Sequence, residues 1–392
     1  MALILWYIVV IFYVTFGLLY MSFPSFTPLG AMAISSAPYD IIQVMFVGGV
    51  GVFLGYFIVG KVNIPKINIL YNGNFLHFCG LGFCTISVVM FIIGIQYYGG
   101  YFHFLNTPYT AIYEGSAENE IKDVLISTSG LLSIFSILSL LSGNKLNAVG
   151  KFFVCISFVV LLSIFIQGRR ETLLLLIMCF LSYRFLGKNI SFRVLLKIII
   201  IASLLIFMAG VGLYLRAYAS DSNGSIVDAI NYSVLYETHF TIATLANEIR
   251  THLYNDIPYG GIVDIFQPFL FIVPGIVFSL LGYDKAEVFA ATEPRVYESK
   301  GGQFIFTGAF HSLGLTGVFI HGLILGLMLF TFYRLARRTE MAIYHFPIVA
   351  LILVSIRKDM IYGVKYISLL FIFMFLFYLI YVILPKKTNI HK

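Results

Sequence analysis

Long apolar runs separated by short polar gaps recur along the whole chain. An α-helix needs about 20 consecutive apolar residues to cross the hydrocarbon core of a bilayer. The pattern predicts ten spanning helices, at residues 3–21, 41–60, 75–97, 124–141, 152–167, 172–186, 196–218, 310–333, 341–356 and 364–384. We therefore expect an all-α polytopic membrane protein, with residues 1–392 forming a single integral domain.

One connection between the predicted spans is much longer than the others, at residues 219–309. Inside it, six apolar residues recur at helical spacing with polar residues between them, which predicts an amphipathic helix at the membrane interface. They are Ile230, Val234, Ile242, Leu245, Ile249 and Leu253. Residues 265–282 are apolar but contain two prolines, and we expect them to form a re-entrant segment that enters and leaves on one side. Long connections are usually functional, so this loop region is the first place to look for a site.

Composition and charge support a membrane location. Hydrophobic residues make up 60% of the chain and charged residues 11%, far below the quarter that is typical of soluble domains. The formal charge of +7 is dispersed between apolar runs, which argues against nucleic-acid binding. With the amino terminus inside, alternate loops hold most of the Lys and Arg residues and a single acid, Glu340. The positive-inside rule then predicts a multi-pass membrane protein with both termini cytoplasmic and residues 219–309 on the opposite, outer side.

Six arginines fall on the predicted outer side, against this charge trend. Arginine binds phosphate oxygens through two parallel hydrogen bonds, which makes a diphosphate the favoured ligand. The alternative is that these side chains flank the membrane or pair with Glu171 and lipid headgroups. We predict that five of the six bind a substrate diphosphate: Arg169, Arg170, Arg216, Arg250 and Arg295, with Arg357 as the sixth outer arginine.

Two histidines near the predicted outer surface are candidate catalytic bases, His311 and His239. Four acids are rival candidates for the same role: Glu237, Glu248, Asp264 and Glu298. Gly301 and Gly302 precede the eighth span and are predicted to line a ligand-binding turn, whereas Gly314 and Gly317 are predicted to serve helix packing. Aspartate pairs suited to a divalent metal and cofactor-binding motifs are absent from the sequence, so we expect neither a metal nor a cofactor.

Three features together resemble the Wzy-type O-antigen polymerases. They are the short Gly-Arg-Arg-Glu connection at 168–171, the long outer loop with further arginines, and the Gly-Gly…Gly-Leu-Thr-Gly stretch at 301–317 that opens the next helix. Some members of that family carry an acid between the paired and the helical glycines, where this chain has Thr307 and Gly308. The resemblance implies a GT-C-like membrane glycosyltransferase of the bacterial inner membrane that joins undecaprenyl-diphosphate-linked oligosaccharide repeat units. The predicted outer side, with residues 219–309, is then the periplasmic face. Its implied partners are membrane lipids and a chain-length regulator protein.

The expected reaction is a metal-independent, inverting glycosyl transfer of lipopolysaccharide or other polysaccharide biosynthesis. An O-antigen ligase, which would use the same donor with a different acceptor, remains an alternative. A flippase or other transporter is a second alternative, although the middles of the predicted spans carry almost no ionisable residues to line a polar path.

Overall fold

The computed structural model describes residues 2–19, 38–58, 72–107, 117–143, 147–167, 169–185, 237–253, 257–262, scattered residues from 266 to 282, and 304–383. Regular structure within these ranges is helical throughout. The described residues first form nine helices: α1 Ala2–Leu19, α2 Pro38–Ile58, α3 Gly73–Tyr97, α4 Tyr101–Asn106, α5 Ala117–Ser142, α6 Ala148–Ile166, α7 Arg170–Phe185, α8 Glu237–Leu253 and α9 Thr307–Thr339. A 3₁₀ turn Ala342–His345, a one-turn helix α10 Phe346–Val349, a π-helical turn Ala350–Val354 and α11 Ser355–Ile383 follow.

Six of the described helices contain segments long and apolar enough to cross a membrane: Tyr39–Ile58, Gly73–Tyr97, Ile121–Ser142, Ala148–Ile166, Thr307–Thr339 and Met360–Ile383. Large apolar side chains stay exposed on the outside, as on α1, where Ile4, Ile8 and Ile11 are 57–60% exposed. Continuous apolar surface of this kind suits contact with lipid chains and not with water. This is the architecture expected of an all-α membrane protein.

The predicted count of ten spans stays a prediction. The segment predicted at 172–186 forms α7, a helix of 16 residues, and the segment predicted at 196–218 lies outside the described residues. Most of the predicted re-entrant segment, 265–282, is also outside them. The described part of the chain therefore supports the helical membrane class and leaves the full topology to experiment.

Close glycine packing joins α2 to α9. A Cβ atom placed on Gly55 would lie 2.1 Å from the Leu323 carbonyl oxygen, and one placed on Gly326 would lie 2.1 Å from the Val52 carbonyl oxygen. Backbones that approach this closely gain van der Waals contact, which is a main source of helix association in lipid. The packing fixes the long helix α9, whose first turns carry part of the candidate site.

Helix α8 packs against α1, α2 and α9. Its predicted apolar positions Ile242, Leu245 and Ile249 are fully buried, whereas Leu253 at its end is 49% exposed. The other two predicted positions, Ile230 and Val234, lie outside the described residues. Part of the polar side of α8 is covered too: Thr244 is buried and accepts a hydrogen bond of 3.1 Å from the Phe304 N–H, and Glu248 is fully buried, although Arg250 is exposed. An interfacial helix would leave its polar face open to water, whereas these polar residues face protein.

Candidate functional site

A break near the start of α9 shapes the candidate site. Leu313 (φ −145°, ψ 27°) and Gly314 (φ 58°, ψ −138°) leave helical geometry. The carbonyl oxygens just before the break are thereby freed from the usual pairing four residues ahead. The His311 carbonyl accepts a hydrogen bond of 3.0 Å from the Gly260 N–H, and the Ser312 carbonyl accepts one of 2.9 Å from the Gly261 N–H. The break thus fastens the segment after α8 to the first turns of α9.

Three ionisable side chains meet beside this break, and we call them the Glu-His-His centre: Glu248, His252 and His311. Glu248 and His252 lie one turn apart on α8, a spacing that places them on the same face of the helix. Oε1 of Glu248 lies 2.8 Å from Nε2 of His252 and 2.6 Å from Nδ1 of His311. The two ring nitrogens are 3.3 Å apart. One carboxylate oxygen therefore serves both imidazoles.

The orientation of His252 is fixed from two sides. Its Nδ1 lies 2.7 Å from the Ile257 carbonyl oxygen, and because a carbonyl only accepts, Nδ1 must carry a proton. The Tyr259 ring stacks on the imidazole with centroids 4.6 Å apart and planes 19° apart. A Cβ on Gly314 would lie 3.0 Å from that tyrosine ring, so the glycine provides both the backbone angle and the space. Nε2 of His252 is consequently held towards Glu248.

Burial makes the charge of this centre important. The side chains of Glu248 and His252 are 0% exposed, whereas that of His311 is 14% exposed. Oε2 of Glu248 is buried without a hydrogen-bond partner among the described residues. A buried carboxylate is stable only when paired, so the two imidazoles have to supply the compensating hydrogen bonds and charge. His311 is thus the partly exposed member of the centre.

The arrangement suits acid–base chemistry. With an ionised Glu248, Nδ1 of His311 donates to the carboxylate, which leaves the lone pair on Nε2. A carboxylate that holds one imidazole nitrogen in this way orients the ring and stabilises the imidazolium formed when the other nitrogen takes a proton. The same three side chains also present three potential metal-ligand atoms within 4.8 Å of one another.

The two predicted catalytic histidines are placed differently. His311 contacts Glu248, one of the four acids that rivalled the histidines as candidate bases. His239 lies in the first turn of α8, where its Nδ1 is 3.4 Å from the Gly17 carbonyl oxygen and burial lowers its pKa. None of the described hydrogen bonds joins His239 to the Glu-His-His centre. Of the three remaining candidate acids, Glu237 begins α8 with an undescribed side chain, and Asp264 and Glu298 lie outside the described residues.

Sequence reasoning missed His252. Its signal was the Glu-x-x-x-His spacing with Glu248 on a helix that the apolar pattern had already predicted. A histidine one turn after an acid is common on helix surfaces, so that spacing points to chemistry only once the pair is known to be buried. The structure supplies that fact.

Arg169 is the one predicted diphosphate ligand whose side-chain contacts are described in detail. The side chain is 6% exposed and its guanidinium is ion-paired with Asp123. It also donates to Oε1 of Gln167 at 2.7 Å, to Oγ of Ser127 at 2.9 Å and to the Tyr98 hydroxyl at 3.3 Å. This network joins residues at the ends of α3, α6 and α7 to the first turns of α5. The guanidinium of Arg169 therefore already donates to protein acceptors. Its binding to a diphosphate stays a prediction.

The remaining predicted ligands are less well placed by the structure. Arg250 is exposed on α8, two residues after the acid of the Glu-His-His centre. Arg170 begins α7 and its side chain is undescribed, while Arg216, Arg295 and the predicted loop glycines Gly301 and Gly302 lie outside the described residues. Only Arg250 is thus placed on an element that carries part of the centre.

Comparison with known proteins adds no identification. No family model, curated protein or solved structure matches the chain.

Proposed function

We propose that the protein is a polysaccharide polymerase that transfers a growing glycan from one undecaprenyl diphosphate to another lipid-linked oligosaccharide repeat unit at the periplasmic face. The observation that carries the proposal is the pairing of a reachable imidazole, His311, with a fully buried carboxylate, Glu248, at 2.6 Å. A transferase of this kind needs a base for an incoming sugar hydroxyl, and this pair provides one inside an apolar helical bundle.

In the proposed step, the terminal hydroxyl oxygen of the acceptor sugar attacks the anomeric carbon of the donor from the face opposite the diphosphate. The new C–O bond forms as the bond to the diphosphate oxygen breaks, so the anomeric configuration inverts. Nε2 of His311 takes the hydroxyl proton, and Glu248 stabilises the resulting imidazolium. A positioned base of this type contributes about 10²- to 10⁴-fold to the rate.

The leaving lipid diphosphate carries the electron pair away and needs positive charge near it. We propose that the outer arginines supply this charge, with Arg250 as the described candidate because it is exposed on the helix that holds Glu248. Fixed cations aimed at a developing negative charge lower the barrier without a metal. Arg169 has a positioning role in this scheme, because its guanidinium binds Asp123 and Gln167 and so fixes the short connection between α6 and α7.

The decisive experiment is reconstitution of the purified full-length chain with a defined lipid-linked repeat unit. A ladder of products on a gel supports polymerisation, and the ladder is expected to persist in excess EDTA. Transfer to lipid A core instead would identify a ligase, and movement of lipid-linked units across vesicles without new bonds would identify a transporter. Loss of the ladder in EDTA, with recovery on adding magnesium, would refute the metal-independent mechanism.

His311 is tested in the same assay. His311→Ala is expected to lower kcat by about 10²- to 10⁴-fold with a much smaller effect on KM. The reason is that the imidazole accepts a proton in the transition state and contributes little to substrate binding. His103→Ala, a change at an exposed histidine on α4, is the matched control and should retain wild-type rates. Equal rates for the two variants would refute the role of His311.

A further inference from the structure

We propose that Glu248, His252 and His311 also form a binding site for one divalent transition-metal ion of the zinc class, and that the bound ion inhibits transfer. The binding site stands on its own geometry. The inhibition rests on the proposed function of His311 as the base.

The donor set matches the preference of zinc. Two imidazole nitrogens and one carboxylate with a further open position are a recurrent ligand set for Zn²⁺ in proteins. The two ring nitrogens are 3.3 Å apart, and two nitrogens on a tetrahedral zinc ion with bonds of 2.0–2.1 Å are about 3.3 Å apart. Oε1 of Glu248 lies closer than that to both rings, so it would need to withdraw by about half an ångström to admit the ion.

The surroundings of His252 are those of a metal ligand. Ligating histidines usually donate their other ring N–H to a backbone carbonyl, which fixes the tautomer and the ring direction. Here Nδ1 of His252 donates to the Ile257 carbonyl at 2.7 Å, and Tyr259 stacks on the ring. Nε2 is therefore the nitrogen that faces the position of the ion.

A second observation comes from Glu248. Its Oε2 is fully buried and has no hydrogen-bond partner among the described residues, although the side chain is 0% exposed. An unsatisfied buried carboxylate oxygen is costly, and a divalent ion bound through Oε1 would offset the negative charge that the two oxygens share. Entry is possible along His311, the one member of the centre that is partly exposed.

Inhibition follows from the position of one proton. Without an ion, Nδ1 of His311 carries the proton that it donates to Glu248, and Nε2 holds the lone pair. A metal bound to Nδ1 of His311 needs the lone pair of that nitrogen, so the ring proton moves to Nε2. On His252 the metal would use the Nε2 lone pair, so a proton that Nε2 donates to Glu248 in the metal-free centre passes to solvent. His311 then has no lone pair left to accept the proton of a sugar hydroxyl.

The test measures zinc binding to the purified full-length chain by equilibrium dialysis and metal analysis, with no sugar substrate present. One site-specific ion per chain is expected, and Glu248→Gln and His252→Asn should each weaken binding by at least tenfold. His103→Ala, which removes an exposed histidine, is the control and should bind as the wild type does. Equal zinc binding by all four proteins, or none by the wild type, would overturn the site.

Two further measurements use the wild-type chain, so their results do not depend on whether a variant folds. Cobalt(II) bound to the wild-type chain should show the intense visible absorption of a tetrahedral site, and a spectrum typical of an octahedral, water-rich ion would overturn the proposal. In the polymerisation assay, zinc should lower the rate and EDTA should restore it. Site-specific zinc binding by a chain that makes no polymer would refute the proposed function alone. Polymer formation that is insensitive to bound zinc would refute the inhibition alone.

Discussion

Glu248→Gln tests the candidate site most directly. Glutamine has nearly the same shape and can still accept one hydrogen bond, but it removes the negative charge that both imidazoles share. In the structure that charge is fully buried, with the His311 and His252 nitrogens at 2.6 Å and 2.8 Å from the same oxygen. The variant therefore changes the electrostatics of the centre much more than its packing.

The size of the effect follows from the hydrogen bond to His311. A hydrogen bond to a charged group contributes about 1.5–3 kcal/mol, and the imidazolium that needs it forms only as the proton is transferred. Its loss should thus lower kcat by roughly 10- to 150-fold. KM should change little, because a side chain that is 0% exposed cannot contact the substrate in this conformation.

The assay uses initial rates of polymer formation in vesicles over a range of acceptor concentrations, together with thermal unfolding of each protein. Glu340→Gln makes the same chemical change at an exposed residue after α9 and is the control. A folded Glu248→Gln protein with wild-type kcat would show that His311 does not depend on this carboxylate, and the acid–base proposal would be wrong.

Three further predictions concern the framework around the site. Arg169→Ala should lower the free energy of unfolding by about 2 kcal/mol, measured by denaturation in detergent, because the buried partners Gln167 and Tyr98 lose a charged donor. An unchanged stability would contradict the structural role of the network. Gly314→Ala should lower the free energy of unfolding by about 1–3 kcal/mol and slow glycan transfer. An alanine is strained at φ 58°, and its Cβ would lie too close to the Tyr259 ring that stacks on His252. A variant with wild-type rate and stability would contradict this. For the topology, a cysteine at Ala117 should react with an impermeant thiol reagent from outside and one at Thr339 should not, and the reverse pattern would invert the predicted orientation.

The helical framework was predictable because its signal is local. Apolar runs of about 20 residues mark spans wherever lipid is the solvent, and most predicted boundaries lie within a few residues of the helices described here. The apolar face of α8 was visible for the same reason, since Ile242, Leu245 and Ile249 follow the helical repeat. What the repeat could not show is that the polar residues Thr244 and Glu248, beside the apolar face, are also buried against protein.

The candidate site was only half predictable. His311 was chosen from its residue type and its place near the outer surface, but its partner Glu248 is 63 residues earlier in the chain. Local periodicity carries no information on which residues meet over that distance. The break at Gly314 was also missed, because a glycine in an apolar helix indicates close packing as readily as a left-handed backbone angle.

Arg169 shows a related limit of charge counting. The positive-inside rule counts charges by loop and identified this arginine as being on the unexpected side. The rule takes no account of distances between residues, and Asp123, on the same predicted side, forms an ion pair with Arg169. A neutralised pair needs no phosphate to explain its location, so the charge argument for a diphosphate ligand is stronger for an exposed arginine such as Arg250.

A membrane protein has a physical reason to build a base in this way. A carboxylate alone in an apolar bundle would take up a proton, and an imidazole alone would have a variable orientation. Glu248 and two histidines on rigid helices solve both problems, because each group supplies the charge or hydrogen bond that the others need. The same closeness leads to the proposed metal site, since the proton on Nδ1 of His311 occupies the place where an ion would bind. The proposed catalysis needs that proton on Nδ1, whereas the proposed zinc site needs the Nδ1 lone pair, so the two states exclude each other. A substitution that moves His311 away from Glu248 should weaken both.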